Sequence, residues 1–190
     1  MAKQFSASVN RVSALAAHYQ PATVSGAEVT LTEVRDLTLW QLATWADTTD
    51  RVAQLVAEQS GVRSPPGFGQ STTNGSVSML RIEPCKYWVV GAALDTCSAD
   101  DGAVLDLSHS RTRVRLGGDR ATTVLNSFLP LDLREQSFPA GAVASTAFHH
   151  VGVTLWRTDQ GYDLFIPRGF AVSLWELLIE ASEQYGLSVV

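Results

Sequence analysis

The chain has 190 residues, is 45% hydrophobic and 17% charged, and carries a formal net charge of -5 with a pI near 5.3. This length and apolar content allow one compact unit or two small half-domains that fold without staples, while the acidic balance excludes a general nucleic-acid binder, which needs a basic surface to neutralise phosphates. With two cysteines, Cys85 and Cys97, there is neither a disulfide framework nor a cysteine-based zinc site, and no run of about 20 apolar residues is present to form a membrane helix.

Residues 1–27 contain Pro21 and Gly26 and show no sustained periodicity, so they are expected to form an irregular arm or a peripheral strand that can lie on a partner. The opening MAKQFSASVNRVSALAAHYQP lacks the continuous apolar core of a signal peptide, and a cytoplasmic location is expected. Residues 28–44, EVTLTEVRDLTLWQLAT, alternate and are rich in Leu, Thr and Val, as one or two strands would be. Asp47, Thr48, Thr49 and Asp50 offer capping oxygens to a helix in which Val52, Leu55, Val56 and Gln59 recur at helical spacing until Gly61. Residues 64–76, SPPGFGQSTTNGS, read as a loop; no Gly-Lys-Ser/Thr ends it, so it is no phosphate cradle. VSMLRI and KYWVV then flank Glu83-Pro84-Cys85 as a hairpin, which makes residues 28–100 a β-α-β-β lobe.

Residues 101–190 repeat that order. RTRVRLG is a strand, Gly117-Gly118 a turn, Asp119 the expected N-cap, and Ala121, Val124, Leu125 and Phe128 form a helical stripe ending before Pro130. AFHHVGVTLWR and YDLFI flank a turn at 158–161, and a long terminal helix follows. Asp50-Arg51 and Asp119-Arg120 both lead helices, and VSMLR and VTLWR both lead hairpins, so an internal repeat is expected. The predicted fold is α+β: two related β-α-β-β lobes in one compact unit, with a long C-terminal helix.

Few residues suggest chemistry. Ser108-His109-Ser110 are neighbours on an extended chain, so their side chains point apart; the hydroxyls are better placed to satisfy backbone groups at the start of a strand. Gly117-Gly118-Asp119 precedes a helix, but an N-cap carboxylate would repel a phosphate there. His18, His109, His149 and His150 have no helix-face ligand spacing, and adjacent His149 and His150 would diverge on a strand, so no metal site is expected. Arg111, Arg113 and Arg115 share one strand face, which fits either a solvated outer face or a seat for acidic groups of a partner chain. On the terminal helix Ala171, Leu174, Trp175, Leu178, Ala181 and Tyr185 make an apolar face widened by Val172, Leu177 and Ile179. That arc is broader than one sheet covers, so either the N-terminal arm or another subunit should complete its burial. Trp40, Trp45, Trp88, Trp156 and Trp175 suit either core filling or interface anchoring.

VLDLSHSRTRVRLGGDRATTVLN resembles the strand-turn-helix motif of the folate-binding aminomethyltransferase superfamily, in which an Asp-Val/Leu-Ser-His phrase precedes a strand, a Gly turn and a helix. PLDLREQSFPAG, FHHVGVTLWR and IPRGFAVSLWELLIEASEQYGLSV are more narrowly similar to the gamma subunits of heterotetrameric sarcosine oxidases. Pro167-Arg168-Gly169-Phe170-Ala171 departs by one residue from the family phrase Pro-Arg-Ser-Phe-Ala, which leaves Ser173-Leu174-Trp175-Glu176 as an alternative capping box. The resemblance is specific from about Val104 onward.

The resemblance implies an accessory, non-catalytic subunit with no cofactor of its own, in a complex that oxidatively demethylates sarcosine and passes the one-carbon unit to tetrahydrofolate. Flavins, NAD, zinc and the tetrahydrofolate site would belong to alpha, beta and delta partner subunits. Arg111, Arg113, Arg115, Arg168 and Trp175 are the interface candidates. The alternatives are a complex acting on another N-methyl amino acid, or a stand-alone folate-binding protein. The latter needs a carboxylate to pair with the pterin, for which Asp106, Asp132 and Asp163 are the nominees.

Overall fold

Two sheets lie face to face with helices on their outer sides, an α-β-β-α layering set by strand alternation. The computed structural model describes residues 12–190, so residues 1–11 of the expected arm lie outside the described residues. The elements run β1 (Val29–Val34), β2 (Leu39–Thr44), α1 (Thr49–Gln59), β3 (Ser71–Asn74), β4 (Val77–Glu83), β5 (Lys86–Val90), β6 (Gly102–Asp106), β7 (Arg111–Gly117), α2 (Ala121–Asn126), β8 (Val143–Phe148), β9 (Val151–Thr158), β10 (Gly161–Pro167), α3 (Ala171–Glu183) and β11 (Leu187–Val189). One sheet has the order β11-β1-β7-β10-β9-β8 and the other β3-β4-β5-β2-β6.

Three apolar clusters fill the layers. Val114, Leu116, Leu155 and Leu164 of the six-stranded sheet pack against Leu125 of α2, Leu174, Trp175 and Leu178 of α3, and Leu15 of the arm. Leu39, Leu80, Ile82, Trp88, Trp156 and Phe165 meet between the sheets. Val52, Ala53, Val56 and Ala57 of α1 cover Leu42, Met79, Tyr87 and Val89 of the five-stranded sheet.

The expected internal repeat takes a form that local wording does not show. The strand orders β3-β4-β5-β2-β6 and β8-β9-β10-β7-β1 correspond one to one, with α1 following β2 as α2 follows β7. Each repeat therefore begins with a strand that pairs into the sheet of the other: β1 lies antiparallel to β7, and β6 lies antiparallel to β2. Residues 28–100 and 101–190 are thus interlaced by one exchanged strand each. β11 is an addition outside the repeat, running parallel to β1.

Several local expectations are corrected. The 64–76 loop holds β3, paired to β4 around Gly75-Ser76. His149 and His150 do not lie on a strand but form the turn between β8 and β9, with His149 at φ 53. Leu55 is 53% exposed, and the buried stripe of α1 runs through Val52, Ala53, Val56 and Ala57. None of the anticipated side-chain N-caps forms. Thr48 donates to the carbonyl of Asp101 at 3.0 Å and Thr49 to that of Trp45 at 3.0 Å, fastening the helix start from the carbonyl side. Before α2 the cap position is Arg120, not Asp119, and the Arg120 N–H donates to the Glu28 carbonyl at 3.1 Å, tying the turn to β1. α3 starts at Ala171 after a 3-10 turn at Arg168–Phe170; Ser173 donates to the Phe170 carbonyl at 3.1 Å, so Ser173-Leu174-Trp175-Glu176 is no capping box. Nor does α3 reach the C-terminus, because Gly186 at φ 70 turns the chain into β11.

Candidate functional site

The arginines of β7 lie inside the sandwich. β7 is an interior strand between β1 and β10, and Thr112, Val114 and Leu116 take the helix side, so Arg111, Arg113 and Arg115 are directed to the opposite face, toward the second sheet. The acid that meets them belongs to this chain. Asp163, fully buried on β10, is the cross-strand partner of Arg115. It accepts hydrogen bonds from Arg115 Nε at 2.7 Å and Nη2 at 2.9 Å, and from Arg113 Nε at 3.0 Å. Arg115 also donates from Nη1 to the Gln160 amide oxygen. The Asp163 carboxylate thereby gains the partners that a buried charge requires, and its hydrogen bond to Arg115 raises the pKa of that guanidinium. Arg113 further lies over the rings of Trp156 at 5.4 Å and Phe165 at 5.6 Å. This corrects the expectation of a solvated face: two of the three arginines form a charged clasp that holds β7 to β10.

Arg111 differs from its neighbours. Among the described residues it has no carboxylate partner; it donates from Nη1 to its neighbour's carbonyl, Ser110 O, at 3.2 Å, and its guanidinium lies 5.8 Å from the centre of the Trp88 ring. Burial pushes its pKa down. The inter-sheet space opens at two ends. A cleft of about 450 Å³ contains Arg111, Trp88 and Thr154, and another of about 500 Å³ contains Arg113, Arg115 and Ser71. Trp156 Nε1 donates to Ser71 Oγ at 2.9 Å, joining the two sheets at the wall of the second cleft.

The remaining candidates resolve individually. Trp175 is fully buried in this chain, stacked on Tyr19 with ring centroids 5.5 Å apart, so the arm completes the cover of α3. As an interface candidate Trp175 is therefore corrected: no surface of it is left for a partner. Arg168 donates to the Val12 carbonyl at 2.6 Å, again engaging the arm. Ser108 Oγ receives the Leu39 N–H at 3.0 Å, and Ser110 donates to the Leu107 carbonyl at 2.9 Å, which is the backbone-satisfying role expected of both. The three nominated pterin acids occupy separate settings. Asp163 is held in the clasp. Asp132 accepts from Arg134 Nε at 2.8 Å and Ser137 Oγ at 2.7 Å, which hold its carboxyl well below the usual carboxylate range. Asp106 accepts the Ser108 N–H at 2.8 Å at the end of β6.

Asp163 as the arginines' partner is the functional pairing that sequence reasoning missed. Its signal was an acid set inside the apolar run YDLFI, opposite an Arg-x-Arg strand.

No family model matches the chain. Sequence comparison finds "Sarcosine oxidase subunit gamma" of Corynebacterium sp. (strain U-96), 30% identical over 187 residues that cover 93% of this chain and 90% of the relative. The chain belongs to the sarcosine oxidase gamma-subunit family. A second member of the family, from Arthrobacter sp., is 30% identical over 96 residues, half of this chain and 47% of its own length. Among solved structures, a chain of heterotetrameric sarcosine oxidase from Corynebacterium sp. U-96, in complex with pyrrole 2-carboxylate, aligns with TM-score 0.79 and 27% identity over 95% of this chain and 98% of that one. Aminomethyltransferase T of the glycine cleavage system from Bartonella henselae aligns with TM-score 0.58 and 17% identity, covering 86% of this chain and 48% of that one. The fold is thus the aminomethyltransferase-like α+β fold, as the strand-turn-helix motif implied.

Proposed function

We propose that this chain is the gamma subunit of a heterotetrameric sarcosine oxidase and serves it as an accessory, non-catalytic component. The observation that carries this reading is the near end-to-end match, over 98% of its length, to a chain of a heterotetrameric sarcosine oxidase. In this reading the complex oxidatively demethylates sarcosine and transfers the one-carbon unit to tetrahydrofolate in the cytoplasm, with the flavins, NAD, zinc and folate held by alpha, beta and delta subunits. Among the described residues no helix is long and apolar enough to cross a membrane.

The interior chemistry supports an accessory role. Asp163, nominated to pair with a pterin, already receives two guanidinium groups, and the Ser108 hydroxyl is occupied by the backbone of Leu39. Neither is poised as a base or nucleophile, which would need to reach a reacting atom.

Co-expression with the subunits encoded beside it, followed by size exclusion with flavin absorbance, tests the proposal. Co-elution in a yellow complex, with the isolated 20.5 kDa chain colourless, is the expected result. A stable monomer that ignores those partners and binds tetrahydrofolate would establish the stand-alone folate-binding alternative instead.

A further inference from the structure

Among the described residues, Arg111 is the one arginine of the β7 row without an acidic partner. Arg113 and Arg115 share the Asp163 carboxylate, whereas the described hydrogen bonds of Arg111 run from Nη1 alone, to Ser110 O and Ser110 Oγ. Arg111 lines the inter-sheet cleft of about 450 Å³, and no hydrogen bond among the described residues engages its Nε or Nη2. A half-buried guanidinium with no counter-charge among the described residues is an electrostatic deficit that an anion would offset.

The surroundings specify the anion further. Trp88 and Phe165, packed edge to face with centroids 5.4 Å apart and buried in the inter-sheet core, form the rigid floor beneath Arg111. Gln41 spends its amide oxygen on Trp88 Nε1 at 3.1 Å, which leaves its NH2 as a donor, and Thr154 adds a hydroxyl. The other charged groups lining the cleft are Lys86 and Glu83, which pair with each other at 2.8 Å and leave the charge of Arg111 as the net excess. A planar, singly charged carboxylate matches a fork of guanidinium donors.

We propose that this inter-sheet cleft binds a small organic carboxylate, seated on Arg111 beside Gln41 and Thr154. The inference stands on this cleft alone and is independent of subunit membership.

Gly152 provides a clean test. It lies on β9 two residues before Thr154, so both are directed to the same side, and a Cβ built there meets nothing within 4 Å. Gly152→Glu therefore offers Arg111 a tethered carboxylate without crowding the fold.

The full-length chain would be titrated with benzoate and with neutral benzamide while amide and indole nitrogen NMR signals are followed. Benzoate should shift the signals of Arg111, Thr154 and Trp88 saturably, with a Kd on the order of 1 mM for one charge-assisted contact in a partly enclosed cleft. Benzamide should not. Arg111→Gln should weaken the response about tenfold or more, and Gly152→Glu should abolish it while leaving the rest of the spectrum folded. Equal shifts from benzamide, or an unchanged benzoate response in Gly152→Glu, would overturn the proposal. The same titration on the assembled complex separates the two sources of a carboxylate. Retained binding supports a free small ligand; loss on assembly would give the seat to a partner's acidic side chain and overturn the small-ligand assignment.

Discussion

Asp163 stands directly across the β7–β10 pair from Arg115, wholly buried, and shares its carboxylate with Arg113 from the diagonal position. Removing the charge leaves two guanidinium groups facing each other between the sheets. Asp163→Asn should therefore destabilise the chain by about 3 kcal/mol, the low end for a broken buried pair because both arginines keep some water. Urea unfolding of the isolated chain reads this directly, and a loss below about 1 kcal/mol would show that the clasp contributes little. Arg113→Glu should likewise reduce folding of the isolated chain before any effect on assembly, the reverse of what a contact residue would show.

How far the sequence reveals this molecule depends on the range of each interaction. The hairpins around Pro84-Cys85 and 158–161 are legible because alternation and turn residues lie within a few positions. β3 and β6 are not. One is the polar run STTN and the other an edge strand with Leu105 54% exposed, so neither carries a buried stripe. The exchange of β1 and β6 is invisible locally, since element order does not say which sheet a strand joins. The arginine row looks solvated for the same reason: the carboxylate that Arg115 meets lies 48 residues away. The apolar arc of α3 did announce a second cover, and Tyr19 of the arm supplies it.

The exchanged strands meet their hosts at two glycines. Gly118, at φ +95, follows β7 beside the start of β1, and an added Cβ would lie 2.3 Å from the Glu28 carbonyl oxygen. Gly102, at φ +143, opens β6 beside the end of β2, where a Cβ would lie 2.1 Å from the Ala43 carbonyl oxygen. Both obstacles are backbone, so neither can swing aside. Gly118→Ala and Gly102→Ala should each cost roughly 1–3 kcal/mol or more. Gly169→Ala, in open space, should stay within about 0.5 kcal/mol of the parent. Thermal denaturation of the three variants decides whether the two junctions are equivalent.

The arm is held to the body by Tyr19. Its ring stacks on Trp175, the guanidinium of Arg35 lies 5.0 Å from its centre, and its hydroxyl donates to the Val190 carbonyl. Tyr19→Ala should cost about 1–2 kcal/mol through the lost stacking and packing. It should also bring solvent to Trp175, seen as increased acrylamide quenching and a red-shifted emission. Trp175→Phe in the same background would identify the emitter. An unchanged emission in Tyr19→Ala would mean that the arm is dispensable for covering α3.

Tyr87 contributes a titrating phenol to the stability of the chain at alkaline pH. It is 1% exposed beneath α1, and burial, partly offset by Arg81, raises its pKa above the ordinary value of 10.0. The folded state therefore keeps its proton at a pH where the unfolded chain has begun to release it. Stability from this group is complete below about pH 10 and declines as pH rises through the folded-state pKa, because the unfolded chain then binds fewer protons. Tyr87→Phe removes the titrating group and keeps the ring. Urea midpoints followed from about pH 8 to about pH 11 should fall less steeply in Tyr87→Phe than in the parent. The difference between the two curves isolates Tyr87 from the other tyrosines and the lysines, which titrate in both proteins. Parallel curves would mean that the buried phenol reaches water before global unfolding, through opening of α1.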